Sequence, residues 1–179
     1  MTPIPCGIRG TGSCVPERRL TNEDLSAMVD TSDEWITKRT GIKERRIVEP
    51  DQSTSDLSIE AARRALDDAG MKAEELDLII LGTVTPDHHV PATACRIQHE
   101  IGATNAAAFD MAAGCTGFIY ASHMAFQALG TGSAKNVLVI GAETLSRLTN
   151  WDDRTTAVLF GDGAGAVVLQ ETDKPGIIS

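Results

Sequence analysis

The sequence predicts an α/β fold, and three observations carry that reading. Residues 78–81 and 137–140 are short continuous apolar runs and residues 106–111 a largely apolar one, all with the length of strands buried on both faces. Segments of helical period lie between them, so strand, helix and strand follow in the order of a right-handed parallel crossover. Only 4% of the 179 residues are aromatic, while 42% are hydrophobic and 16 are glycine. The apolar mass is therefore mostly Ala, Val, Ile and Leu, which suits closely packed helix and sheet layers within a single domain.

Taken in order, residues 8–15 mix apolar residues with glycines ahead of Pro16 and read as a strand entering a loop. Thr21, followed by Asn22, Glu23 and Asp24, starts a short helix to about Val29. Ser32 with Asp33, Glu34 and Trp35 starts a second, which Gly41 stops. From Ser55 the series Leu57, Ile59, Ala61, Ala62, Ala65, Leu66 and Ala69 has helical spacing and closes at Gly70, predicting an amphipathic helix before the strand at 78–81. The next helix covers about 91–101, with Pro91 in its first turn, where a missing N–H costs little. Between the strands at 106–111 and 137–140, residues 115–129 form a long helix. Its Phe118, Ile119, Tyr120, Met124, Ala125, Phe126 and Leu129 leave hardly any polar face, which predicts burial at the centre of the fold. Residues 164–169 form the last strand, followed by a polar turn at 171–176.

The formal net charge of −9 disfavours whole-surface attraction to nucleic acid or anionic lipid. Lys38, Arg39, Lys43, Arg45 and Arg46 nevertheless fall within nine positions, a patch that either meets phosphates or an acidic partner or is a solvated basic face. The sequence shows no apolar signal segment and no run long enough to span a bilayer, and its four cysteines lack CxxC spacing. A reducing cytoplasm is expected. No Cys or His group has metal-ligand spacing, and the adjacent His88 and His89 do not share an i,i+4 face, so no metal is expected.

The chemistry centres on Cys115. In Asp110-Met111-Ala112-Ala113-Gly114-Cys115-Thr116-Gly117 it occupies a tight small-residue turn between a strand and the start of a helix. Small neighbours permit such an elbow, and a helix N-terminus supplies N–H groups and a positive dipole end that favours thiolate over thiol. The alternative is an ordinary small buried cysteine, which is how Cys6, Cys14 and Cys95 are read. Phe160-Gly161-Asp162-Gly163-Ala164-Gly165 is not a dinucleotide loop, because Ala166-Val167-Val168-Leu169 continues as a strand and leaves no helix N-terminus for a pyrophosphate. Glycines there let backbone pass close to a neighbouring element or a substrate arm. Trp35 and Arg39 lie four apart on one helix, which suits stacking on a base while pairing with phosphate; by spacing alone a structural cation–π pair ranks ahead.

Thr31-Ser32-Asp33-Glu34-Trp35-Ile36, Arg39-Thr40-Gly41-Ile42, the elbow Ala113 to Phe118, Asp153-Arg154 and Phe160 to Ala166 together resemble β-ketoacyl-acyl-carrier-protein synthase III, in order and along essentially the whole chain. The resemblance implies a thiolase-like, five-layered αβαβα architecture. Residues 1–179 would supply its N-terminal half, with a mixed, largely parallel sheet and a buried central helix. It implies an acyltransferase in which Cys115 accepts a short acyl group, typically acetyl, from acyl-coenzyme A. Malonyl-acyl carrier protein (malonyl-ACP) would then decarboxylate and condense with it to a 3-oxoacyl-ACP, initiating fatty acid biosynthesis.

By motif, Thr31, Trp35, Arg39 and Arg154 match positions that hold coenzyme A, which reverses the preference for a structural Trp35–Arg39 pair. Leu145 and Phe160 match the acyl pocket, and Val90 matches a residue inserted there by a partner subunit of a homodimer. Acyl-coenzyme A is a substrate, and no permanently bound cofactor is implied. The family's catalytic histidine and asparagine belong to a second half absent from this sequence, and His88, His89, His99 and His123 do not match that motif. Condensation is therefore expected to need a C-terminal half, in the same polypeptide or a separate one. A thiolase-fold enzyme with another acceptor, as in polyketide or secondary metabolism, and a non-catalytic dimerising or carrier-binding half are the alternatives.

Overall fold

The computed structural model describes residues 6–172 and 176. In chain order its elements are β1 (Cys6–Cys14), β2 (Arg19–Thr21), α1 (Asn22–Ser26), α2 (Asp33–Thr40), β3 (Glu44–Arg46), α3 (Thr54–Ala69), β4 (Leu78–Gly82), α4 (Thr93–Ile101), β5 (Ala107–Met111), α5 (Gly117–Gly130), β6 (Asn136–Thr144), α6 (Arg154–Ala157) and β7 (Asp162–Glu171). Five strands make one sheet in the order β1-β7-β6-β4-β5. β4 is parallel to both β5 and β6, whereas β7 is antiparallel to β6 and β1, so β7 alone runs against the other four. This is the mixed, largely parallel sheet expected.

Alternation along the central strands decides the layers, because successive side chains leave a strand on opposite faces. Ile79, Leu81, Leu138 and Ile140 pack with the apolar stripe of α3, including Leu57, Ala61, Ala65 and Leu66, and with Ala94 and Ile97 of α4. Ile80, Val137 and Val139 face the other way, onto Ala121, Ala125 and Leu129 of α5. Both faces of the sheet are thus covered, and each fully buried Ile or Leu adds about 2 kcal/mol relative to exposure. The layers are α, β and α, as the N-terminal half of a thiolase-like fold requires.

Close contact between α3 and β1 rests on glycine. A Cβ on Gly10 would lie 2.3 Å from the Ala65 carbonyl oxygen, and one on Gly12 would lie 2.1 Å from that of Ala61. At its N-terminus α3 carries a capping box between Ser53 and Asp56 that was not singled out in the sequence, and Gly70 ends it in the left-handed conformation at the stop predicted.

Several expectations need correction. The helix at 21–29 stops at Ser26, and the turn beyond it presents the Asp30 carbonyl to Arg154. The helix at 91–101 begins at Thr93 because the Asp110 carboxylate accepts the N–H groups of Thr93 and Ala94, at 2.7 and 2.8 Å, and so fixes its first turn. β6 and β7 are longer than predicted; Gly141 to Thr144 pair with Asp162 to Gly165, where the glycines hide the strand period. The short ribbon of β2 with β3 escaped the sequence, since two three-residue polar strands carry no usable period. The strand at 106–111 is not buried on both faces: β5 is a sheet edge, and its residues are exposed or half-buried. Within this chain the long helix is not buried all round either. Small residues Gly117, Ala121 and Ala125 face the sheet, while Ile119 and Tyr120 are 64% and 54% exposed and Phe118 and Met124 are also open. Of the basic patch, Arg45 is buried and donates to the Val158 carbonyl and Asn22 Oδ1, burial pushing its pKa down. The polar turn at 171–176 lies partly outside the described residues.

Replacing Gly12 with Ala drives a methyl into the α3 backbone and is expected to destabilise the fold by about 2–3 kcal/mol, read as a lower urea midpoint at unchanged slope.

Candidate active site

The elbow is built from the strand ends upward. β5 ends at Met111, Gly114 takes the left-handed conformation at φ 54°, and residues Gly114–Thr116 form one 3-10 turn before α5. The Thr116 hydroxyl and N–H both donate to the Ala113 carbonyl, at 2.9 and 3.3 Å, and close that turn. Cys115 therefore sits two residues before the α-helix, not at its first position, and it is an exposed free thiol. The floor beneath it is glycine. A Cβ on Gly82 would stand 2.9 Å from the carbonyl carbon of Gly117, and one on Gly141 would stand 3.3 Å from the Phe118 side chain. The first turn of α5 consequently lies on the bare backbone of β4 and β6.

Parallel pairing gathers the remaining groups. Gly82 is in register with Met111 on one side and Gly141 on the other, so β4, β5 and β6 all end at one edge of the sheet. Clefts outside the carboxyl ends of parallel strands are where open α/β sheets bind their ligands. The elbow leaves β5 at that edge, the 83–92 segment leaves β4, and Leu145 follows β6. Thr144 pairs with Asp162, which brings the approach to β7, with Phe160, beside Leu145. Leu145 is half-buried and Phe160 is 37% exposed. Val90 stands 86% exposed on its segment, uncovered by this chain. Gly161 lets this approach run close to β3, since its Cβ would lie 3.1 Å from the Arg46 carbonyl oxygen, the close backbone passage expected of the glycine-rich segment.

Trp35, Arg39 and Arg154 come together. The Arg39 guanidinium lies 4.2 Å and that of Arg154 4.9 Å from the indole centroid. Arg154 is held by the Asp30 carbonyl at 2.9 Å, and the Ser32 hydroxyl caps α2 by accepting the Trp35 N–H at 3.1 Å. Next to Asp30, the Thr31 hydroxyl oxygen is buried and finds no partner among the described residues. An indole face flanked by two cations suits a flat base carrying phosphates.

Three carboxylates that fix the site were not singled out in the sequence. Glu143 accepts from the 83–85 segment, Asp110 caps α4, and Asp162 accepts the N–H groups of Val48 and Ser146 and the Ser146 hydroxyl. The available signal was an acidic residue within or beside an apolar run, which is costly unless donors meet it. Among the described residues no His, Cys, Asp and Glu side chains cluster as metal ligands would.

Residues 109–179 match the family model described as 3-oxoacyl-[acyl-carrier-protein] synthase III. Beta-ketoacyl-[acyl-carrier-protein] synthase III of Caldanaerobacter subterraneus is 64% identical over 166 residues, 93% of this chain and 50% of that protein. The Neisseria meningitidis protein of the same name is 59% identical, over 96% of this chain and 54% of its own length. The chain is similar to β-ketoacyl-acyl-carrier-protein synthase III over about half of that protein's length. Among solved structures, the Aquifex aeolicus synthase III superposes with a TM-score of 0.92 at 53% identity, covering 94% of this chain and 55% of that one. The priming β-ketosynthase of the R1128 polyketide pathway gives 0.95 at 40% identity, covering 98% and 52%. The thiolase fold expected from the motifs is therefore the fold found. The chain spans about half the length of the curated relatives it matches.

Burial raises the pKa of the Cys6 thiol, and burial with nearby Glu60 and Glu17 outweighs Arg64 to raise that of Cys14. A raised pKa means less thiolate at a given pH. With iodoacetamide at neutral pH, Cys115 is expected to label at least about tenfold faster than Cys6, as read by peptide mass spectrometry.

Proposed function

We propose that this chain is the nucleophile-bearing N-terminal half of a condensing acyltransferase of the synthase III type. One observation carries the reading: the exposed Cys115 thiol at a glycine-floored turn on the sheet edge where parallel strands end. In the first stage the Cys115 thiolate attacks the carbonyl carbon of an acyl-coenzyme A, the carbon–sulfur bond to the coenzyme breaks, and coenzyme A thiolate leaves. In the second, malonyl-ACP loses carbon dioxide, and the resulting carbanion attacks the Cys115 thioester. Collapse of the adduct expels the Cys115 thiolate and yields 3-oxoacyl-ACP, the opening step of fatty acid biosynthesis. The N–H of Cys115 serves as one donor to the oxyanion.

Trp35 stacks on the adenine, Arg39 and Arg154 meet the phosphates, and the unsatisfied Thr31 hydroxyl supplies a further polar contact. Leu145 and Phe160 line the acyl pocket from this chain, and Val90 enters the pocket of a partner subunit in a homodimer, as its exposure suits. Acyl-coenzyme A acts as substrate and no resident cofactor takes part. The setting is the cytoplasm; no helix among the described residues is long and apolar enough to cross a membrane.

A second half completes the enzyme. Phe118, Ile119, Tyr120 and Met124 leave an uncovered apolar face on α5, and such surface is stabilised at about 25 cal/mol per Å² once buried. That half would bring the groups that stabilise the enolate in condensation. The likeness to a priming ketosynthase of a polyketide pathway favours, as second reading, the same chemistry with another acceptor.

Incubation with acetyl-coenzyme A, with and without a C-terminal half supplied, is expected to give an acetyl adduct on the wild-type chain by intact mass and none on Cys115→Ala. Absence of an adduct in both arms would mean a structural cysteine. Trp35→Ala is expected to raise the acyl-coenzyme A concentration for half-maximal acylation about tenfold, the loss of one base stack, with Cys115 labelling by iodoacetamide unchanged.

A further inference from the structure

The segment that joins β4 to α4 carries Val90, and it is fastened to the sheet by acids on both neighbouring strands. Where it begins, Glu143 near the end of β6 accepts the Val84 N–H at 2.9 Å, the Thr85 hydroxyl at 2.5 Å and the Thr83 hydroxyl at 3.3 Å. Thr144 donates its N–H to the Thr85 hydroxyl at 2.9 Å, and the Thr54 hydroxyl donates to the Thr85 carbonyl at 2.5 Å. Midway, Asp87 accepts the Ser55 N–H at 3.1 Å and pairs with Arg96 at 3.0 Å. Where it ends, Asp110 of β5 holds the first turn of α4. Val90, between these anchors, is uncovered.

The tie at Glu143 also reaches the elbow. Thr83 donates its N–H to the Met111 carbonyl at 3.1 Å, and Gly82 lies against Gly117. The Glu143 carboxylate is half-buried, and the donors that match it come from one three-residue stretch. Asp110 and Asp87 hold parts of the segment that are also fixed by α4 and α3. Glu143 holds the part that leaves the sheet beside the nucleophile.

We propose that Glu143 is a positioning residue for primer choice: its carboxylate sets the path on which the Val90 segment leaves β4, and thereby which acyl groups reach Cys115 of the partner subunit, whose pocket Val90 enters. This rests on the acyltransferase reading, because the primer is what Val90 would meet. An acid that merely stabilised the fold would slow every acyl donor alike when removed, in proportion to the folded fraction. An acid that positions Val90 changes the ratio between donors.

The test measures Cys115 acylation rates by intact mass on the full chain with a C-terminal half supplied, using acetyl-coenzyme A and isobutyryl-coenzyme A. Glu143→Ala is expected to shift the ratio of the two rates about fivefold or more, and Glu143→Gln, which keeps an oxygen for the Val84 N–H, to shift it about twofold. An unchanged ratio in Glu143→Ala overturns the proposal; if that variant does not fold, an unchanged ratio in Glu143→Gln does so. A wild-type chain that takes up neither acyl group fails the acyltransferase reading and this one with it, whereas a wild-type adduct with unshifted variants fails this one alone.

Discussion

The first turn of α5 rests on the backbones of β4 and β6, and that contact governs where everything else at the sheet edge can stand. It requires a position without a side chain on each strand, at Gly82 and at Gly141, which the parallel register places side by side. With a methyl on Gly82 the helix would have to rise, and the turn holding Cys115 would rise with it. Because β5 enters the same turn from Met111, whose carbonyl takes the Thr83 N–H, three adjacent strands and one helix meet around a single residue. The turn that carries Cys115 is thus tied to regular elements, the arrangement that fixes a side chain's position best.

Around that contact, acids tie the irregular segments to regular ones. Asp162 joins the segment at Val48 to the turn at Ser146, Asp110 sets the start of α4 and Glu143 fastens the residues after β4. Each meets backbone N–H groups, the interaction that lets a carboxylate sit away from bulk water without a cationic partner. The chain's acidity is thus partly internal and structural. Its buried cation, Arg45, plays the complementary part by donating to the Val158 carbonyl and the Asn22 side chain.

The fold was legible where residue type and period agreed. The apolar runs at 78–81 and 137–140 are strands because both faces are covered, and α3 shows its stripe and its glycine stop together. The turn that carries Cys115 was legible from its small neighbours. What the sequence hid follows from interactions distant along the chain. The start of α4 depends on Asp110, 17 residues on from Thr93, which no local capping rule reports. The exposed face of α5 was misjudged because an apolar residue looks the same whether it meets this chain's sheet or some other surface. The pairing of Trp35 with Arg154 joins α2 to α6, far apart in sequence, and only the motif comparison suggested it.

Trp35 is one of two tryptophans in the chain, and two guanidinium groups lie near its ring. The other, Trp151, packs against the same small apolar cluster and donates its indole N–H to the Ser146 carbonyl at 3.2 Å. Indole emission responds to charge and contact at the ring, so a molecule that takes the place of either guanidinium alters the light from Trp35 while Trp151 keeps its hydrogen bond. The arrangement gives the protein a built-in optical gauge, through which occupancy of this surface can be followed without a label.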